Sequence, residues 1–270
     1  MYILRLIRSW RNRLAPINQI PPEILSLVPD FWDTDERDRD VITLAHVCRD
    51  WREAFISRSS LWTEFDCEDE DKTRVYLERS KSSPINLTLG RDGGLPPRDP
   101  FFQIIPHAIG RLKSLIVHGT SEHLQEITAQ LSQFAPLLEN LGIHGGCESA
   151  PHRSPVLTPT LFGGDLSSLR ELCLMSVRTE LPWRNMVNLT AFALAHMPPG
   201  EISVRRVLDF LEGAPHLREA EFRITTLTSG AQTERLVSLA CLKWMEIDNY
   251  GPSSLLLNHL LIPVGAELAM

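Results

Sequence analysis

His144, Cys147 and His152 fall within the short stretch HGGCESAPH. Imidazole nitrogen and thiolate sulfur are ligands that zinc prefers, but a closed zinc site needs four of them. The neighbouring sequence supplies no fourth, so the stretch reads as a loop. Asp66 to Asp71, DCEDED, crowds carboxylates as a calcium loop does. It lacks the central glycine and the late glutamate that such a loop uses. Asn86 and Asn188 each open an Asn-Leu-Thr triplet, the acceptor pattern for N-glycosylation, but both fall in expected strands. No phosphate loop, nucleophile elbow or dinucleotide fingerprint occurs. The residues therefore point to no catalytic centre, no metal and no cofactor. An enzyme with an unrecognised site has little support, and recognition is the remaining class of function.

The chain that must position any recognition surface has 270 residues, 43% of them apolar, which is enough for one large domain or two smaller ones. Its net charge of -7 argues against binding nucleic acid through phosphates. The acidity is uneven. Residues 1–20 carry four arginines and no acid, whereas residues 21–72 carry fifteen acids against six bases. Such a run is either a solvated face or a surface for a basic partner. Five widely spaced cysteines make neither a disulfide framework nor a CxxC pair, so a reducing, intracellular location is expected. No apolar run approaches the ~20 residues that span a bilayer. Residues 1–17 read as a basic tail or a short docking helix.

Along the chain, IPPEILSLVPD opens a short helix with a proline pair, proline being tolerated at a helix start. FWDTDERDRD follows as a charged loop. From Val41, with Asp40 as its N-cap, a helical stripe takes in Val41, Leu44, Ala45, Cys48 and Phe55, widened by Val47 and Trp51. SRSSLW closes this section. Residues 20–62 are too few to shelter so wide an apolar set alone. Either the rest of the chain covers it or a second chain does. Beyond it, WTEFDC and PINLTL read as strands, DKTRVYLERS as a helix, and GRDGGLPPRDP as a loop.

After residue 100 the chain repeats itself. LKSLIV begins at Leu112, LENLGI at Leu138, LRELCL at Leu169, LTAFAL at Leu189, LREAEF at Leu217 and LKWMEI at Leu242. The starts are 26, 31, 20, 28 and 25 residues apart. Each hexamer is apolar-x-x-apolar-x-apolar, a strand whose alternate residues point inward. The longer spacers hold helices: SEHLQEITAQLSQF aligns Leu124, Ile127, Leu131 and Phe134, and SVRRVLDFLEGAP aligns Val204, Val207, Leu208 and Leu211. A strand–helix unit of this period predicts an irregular leucine-rich-repeat solenoid with a parallel concave sheet, hence an α/β fold. An unrelated mixed α/β domain is the other reading.

The set INQIPPEILSLVPDFW…VITLAHVCRDWREAFISRSSLW resembles an F-box of the divergent, fungal F-box-like type, over about residues 18–62. The continuation through YLERSKSSPINLTL into the hexamers also resembles that family's route into leucine-rich repeats. The resemblance implies a three-helix F-box at 18–62, a strand–helix–strand linker at 63–100 and a solenoid at 101–270. It further implies a non-catalytic substrate-recognition subunit of an SCF-type ubiquitin ligase, cytoplasmic or nuclear, bound to a Skp-type adaptor and through it to a cullin. The adaptor-binding positions would be Pro21, Pro22, Ile24 and Leu25, then Leu44, Val47, Cys48 and Trp51, then Leu61 and Trp62. An adaptor-binding or repeat scaffold with no part in ubiquitin transfer is the alternative. A protein substrate would lie on the outward residues of the strands, for which His118, His144, Met175, Glu221, Arg223, Trp244, Glu246 and Asp248 are the candidates. Ile116, Gly142, Cys173, Ala193, Ala195 and Glu219 share that expected face.

Overall fold

The structure is a computed structural model that describes residues 3, 10–11, 14–31, 37–67, 69–90, 105–146, 156–157, 161–179, 186–198, 202–223, 227–228, 235–248 and 254–269. The loop GRDGGLPPRDP, most of residues 1–13, Cys147 and His152 lie outside them. The chain divides into two compact units, one formed by Met1–Phe65 with Asp71–Ser83 and the other by Asp66–Glu70 with Pro84–Met270.

In the first unit, Pro22 stands at the start of the helix Pro22–Leu25, where a missing N–H is harmless. A 3₁₀ turn follows at Val28–Phe31. The next helix runs Arg37–Ala45, so it begins inside the stretch expected to be loop, and Asp40 lies within it instead of capping it. The charged residues there hide the helical period from a reading based on apolar spacing. The stripe from Val41 to Phe55 is also not one helix. The chain breaks at His46–Cys48, with Cys48 extended (φ -155°), and resumes as Arg49–Ser57. Arg52 Nε donates to the Ala45 carbonyl at 3.0 Å, satisfying an acceptor left by the end of the preceding helix. The break lets Val41 and Ala45 of one helix and Trp51, Ala54 and Phe55 of the next all be buried.

This core centres on Trp62. It is fully buried in the 3₁₀ turn Ser59–Trp62, and its indole N–H donates to the Phe55 carbonyl at 2.9 Å. Tyr76 meets it edge-on with ring centroids 5.0 Å apart, and the Arg79 guanidinium lies 4.3 Å from its ring centroid. Both partners come from the helix Glu70–Arg79. The first unit therefore recruits a helix from the expected linker, which supplies some of the cover that residues 20–62 lack. Trp51 lies 5.9 Å from Phe55 and donates to Asn18 Oδ1 at 2.6 Å. Arg58 donates to the Ser26 carbonyl and to Asp30.

The strands, in chain order, are β1 (Glu64–Asp66), β2 (Ile85–Leu89), β3 (Leu112–Gly119), β4 (Asn140–Gly145), β5 (Val156–Leu157), β6 (Glu171–Met175) and β7 (Arg178–Thr179). They continue as β8 (Ala191–Ala195), β9 (Glu219–Arg223), β10 (Val237–Ser238), β11 (Trp244–Asp248), β12 (Leu260–Leu261) and β13 (Glu267–Ala269). Nine of them form one sheet in the order β1-β2-β3-β4-β6-β8-β9-β11-β13. From β2 onward each neighbouring pair is parallel. The fold is mixed α/β with a large parallel sheet. Two small parallel pairs, β5 with β7 and β10 with β12, lie outside that sheet.

Each hexamer lands in this sheet in the same way. Its first, fourth and sixth residues are buried, as Leu169, Leu172 and Leu174 illustrate. The repeat also extends three residues further back than the hexamer. Leu138, Leu169, Leu189, Leu217 and Leu242 each donate their N–H to the carbonyl three residues earlier. Those earlier residues, Ala135, Leu166, Met186, Ala214 and Leu239, are all buried. One tight turn thus enters β4, β6, β8, β9 and β11 alike, and the spacers in between are free to differ. In one spacer the helix Ser121–Gln130 buries Leu124 and Ile127, and Leu131 just past its end is buried too. Phe134, expected on the same face, lies past the helix end and is exposed. In another, Val204–Glu212 is capped by Ser203, whose hydroxyl accepts the Arg206 N–H. No described helix is long and apolar enough to cross a membrane.

Candidate functional site

In-register pairing turns the third and fifth residues of the hexamers into two rows across one face of the sheet. The first is Ser114–Asn140–Glu171–Ala191–Glu219–Trp244. The second is Ile116–Gly142–Cys173–Ala193–Glu221–Glu246. All twelve keep some exposure except Gly142, which is buried. A third row, His118–His144–Met175–Ala195–Arg223–Asp248, lies beyond them.

A cleft of about 270 Å³ opens on this face, with Ile116, Gly142, Cys173 and Ala193 in its lining and His144, Glu221 and Trp244 beside them. Gly142 keeps the cleft open, because a β-carbon there would stand 3.3 Å from His144 Nε2 and 3.4 Å from Ile116. His144 and His118 meet edge-to-face with centroids 4.5 Å apart. Burial, with the neighbouring His118 adding to it, lowers His144 to about 4, so its ring is neutral near pH 7. Burial, and then Glu221, raises the Cys173 thiol, which disfavours the thiolate that a nucleophile or metal ligand requires. Among the described residues no group of three or more His, Cys, Asp or Glu could hold a metal ion.

Beside the cleft, on β9 and β11, Arg223 donates through Nε and a terminal nitrogen to the two carboxylate oxygens of Glu246, at 3.1 and 3.0 Å. It also reaches Glu221 at 2.7 Å. This fork is bidentate and directional. Of the residues expected on the face, Ile116, Gly142, His144, Cys173, Ala193, Glu219, Glu221 and Trp244 line the cleft, while His118, Met175 and Glu246 lie in register beside lining residues and Arg223 is joined to Glu221 of the lining. Ala195, also expected to face outward, is buried. The side chain of Asp248 lies outside the described residues. The row beginning at Ser114 was represented in the sequence reading only by Glu219 and Trp244. Its other members lie at the same third place of each hexamer, so the sequence held the signal. Asn140 and Glu171 of that row are joined at 3.0 Å.

A second surface belongs to the helical unit. Among the ten residues expected to meet an adaptor, Leu25, Trp51, Leu61 and Trp62 are buried. Leu44 and Cys48 are half-buried, and Pro21, Pro22, Ile24 and Val47 are exposed. Ile24 is 55% and Val47 54% exposed, and Ile20, Leu27 and Phe31 are also open to solvent. The sequence stripe thus contains both a private core and an apolar exterior. A scan against protein-family models gives no match, and no curated protein matches the chain significantly.

Proposed function

We propose that the chain is the substrate-recognition subunit of an SCF-type ubiquitin ligase. The helical unit, read as an F-box, docks on a Skp-type adaptor that carries a cullin. The open face of the sheet, read as a leucine-rich-repeat surface, holds a protein substrate. One observation carries this reading: Ile24 and Val47 stay more than half exposed on a unit whose aromatic core is already closed. On this reading the exposed apolar side chains of so small a unit form one patch, of the kind that serves a protein contact. The cleft on the sheet face, with an apolar lining and a charged fork nearby, suits a side chain of a bound protein better than a reaction. The Cys173 thiol and the neutral His144 belong to that binding surface. Under this reading the chain performs no bond-making step. It raises the effective concentration of a substrate beside the conjugating machinery.

The test is co-purification with a Skp-type adaptor, followed by adaptor-dependent ubiquitination of a captured partner. Ile24→Asp with Val47→Asp should weaken adaptor binding by about thirtyfold or more, the loss of a hot spot. Both side chains are exposed, so far- and near-ultraviolet circular dichroism should be unchanged. Undiminished adaptor binding by that variant would remove the proposal. Adaptor binding without any ubiquitin transfer would favour a scaffold.

A further inference from the structure

The second residues of the hexamers form a row of their own at the entry edge of the sheet: Lys113, Glu139, Arg170, Thr190, Arg218 and Lys243. Each from Glu139 onward donates its N–H to the carbonyl of the one before, at 2.7–2.8 Å. Neighbouring members are therefore about 4.8 Å apart. Part of this row, with the turns that enter the strands, lines a trough of about 580 Å³.

The charge of the row is lopsided. Glu139, the one acid in the trough lining, is answered by Lys113 Nζ at 3.6 Å. From Arg170 to Lys243 the row carries no acid. Among the described residues neither Arg170 nor Arg218 has a carboxylate partner, whereas Arg58, Arg223 and Arg235 each do. In a chain of net charge -7, two exposed guanidiniums two strands apart on one edge, with no carboxylate partner among the described residues, need an explanation. Three of the trough's other polar side chains are held internally. Ser168 Oγ donates to the Pro136 carbonyl at 2.7 Å, Asn188 Nδ2 to the Ser167 carbonyl at 2.7 Å and Thr190 Oγ1 to the Arg170 carbonyl at 3.1 Å. These bonds fix the walls and leave the two guanidiniums without a partner among the described residues.

We propose that this trough binds an acidic peptide segment in an extended, polyproline-like conformation, with two carboxylates three residues apart seated on Arg170 and Arg218. The trough spans the turns from Pro136 to Cys241. Four strand spacings make that roughly 19 Å, the length of about six residues in a polyproline helix. Arg170 and Arg218 stand two strands apart, about 10 Å, and every third residue of a polyproline helix returns to the same side after about 9.3 Å. Guanidinium and carboxylate then meet as planar forks. Nucleic acid is the poorer occupant, because the chain's overall charge opposes it. The site is separate from the adaptor surface and from the open face, and it does not depend on a role in ubiquitin transfer.

The experiment uses the full chain and a fluorescein-labelled, proline-rich peptide with a Glu-Pro-Pro-Glu core, read by anisotropy at low salt. Binding should weaken as salt rises. Arg170→Glu with Arg218→Glu should weaken it by more than about tenfold, since both charge-assisted contacts become repulsive. Arg218→Gln should give a smaller loss, and Arg205→Glu with Arg206→Glu, outside the trough, none. The proposal is overturned if the glutamine counterpart of the peptide binds equally, if the double reversal retains binding with unchanged circular dichroism, or if single-stranded DNA displaces the peptide at lower concentration.

Discussion

The helical unit and the sheet unit solve the same problem of burial in opposite ways. The first gathers its stability around one residue. Trp62 holds Phe55 by a hydrogen bond, Tyr76 by an edge contact and Arg79 by its ring face, and these three come from two different helices. The second spreads burial over many equivalent places. Leu115, Leu141, Leu172, Phe192, Ala220 and Met245 hold the same position in six successive strands, and no one of them is a hub. Damage should therefore be global in the helical unit and graded in the sheet, where stability is approximately a sum over neighbours.

Three experiments test that contrast. Trp62→Ala removes the hub and leaves the Phe55 carbonyl without its donor, so a loss of roughly 3–5 kcal/mol is expected. Hydrogen exchange should rise together across both Arg49–Ser57 and Glu70–Arg79; a rise confined to one helix would show that the unit has no single centre. Leu174→Ala should cost about 2–4 kcal/mol, with faster exchange limited to β4, β6 and β8. Uniform loss from β2 to β13 would break the comparison from the other side.

The smallest effect is electrostatic. His144 sits at about 4 in the folded chain against 6.5 ordinarily. As pH falls the unfolded chain takes up this proton first, so the neutral ring's contribution is whole above 6.5 and is lost on descending to about 4. The ring is only half-buried, so the loss is on the order of 1–2 kcal/mol after solvent screening. In His144→Asn, urea midpoints measured across that range should fall less steeply than in the unchanged chain. Parallel slopes would mean that the ring is not desolvated on this face.

The repeats were legible because a leucine at the first place, followed by apolar residues at the fourth and sixth, has no other economical explanation than alternation in a buried sheet. Their full extent was not. The buried residue three places earlier varies between Ala135, Leu166, Met186, Ala214 and Leu239, and only the shared turn reveals it as one position. The break at His46–Cys48 was hidden for a related reason. Cys48 and Val47 continue the apolar spacing on both sides, while the acceptor that the break exposes, the Ala45 carbonyl, is satisfied by Arg52, seven residues on. The cleft was legible in part. Alternation put His144 and Glu221 on one side of the strands, but which of their neighbours line a hollow depends on how much space Gly142 leaves.

The tight turn before each strand has a wider consequence. It locks where a strand begins, while the chain that arrives there is left unconstrained in length. Segments between strands can then be added, trimmed or replaced without sliding one strand against the next. The exposed surface behaves as a grid of addressable cells, in which substitution at one coordinate alters a single contact and leaves the rest of the lattice as it was.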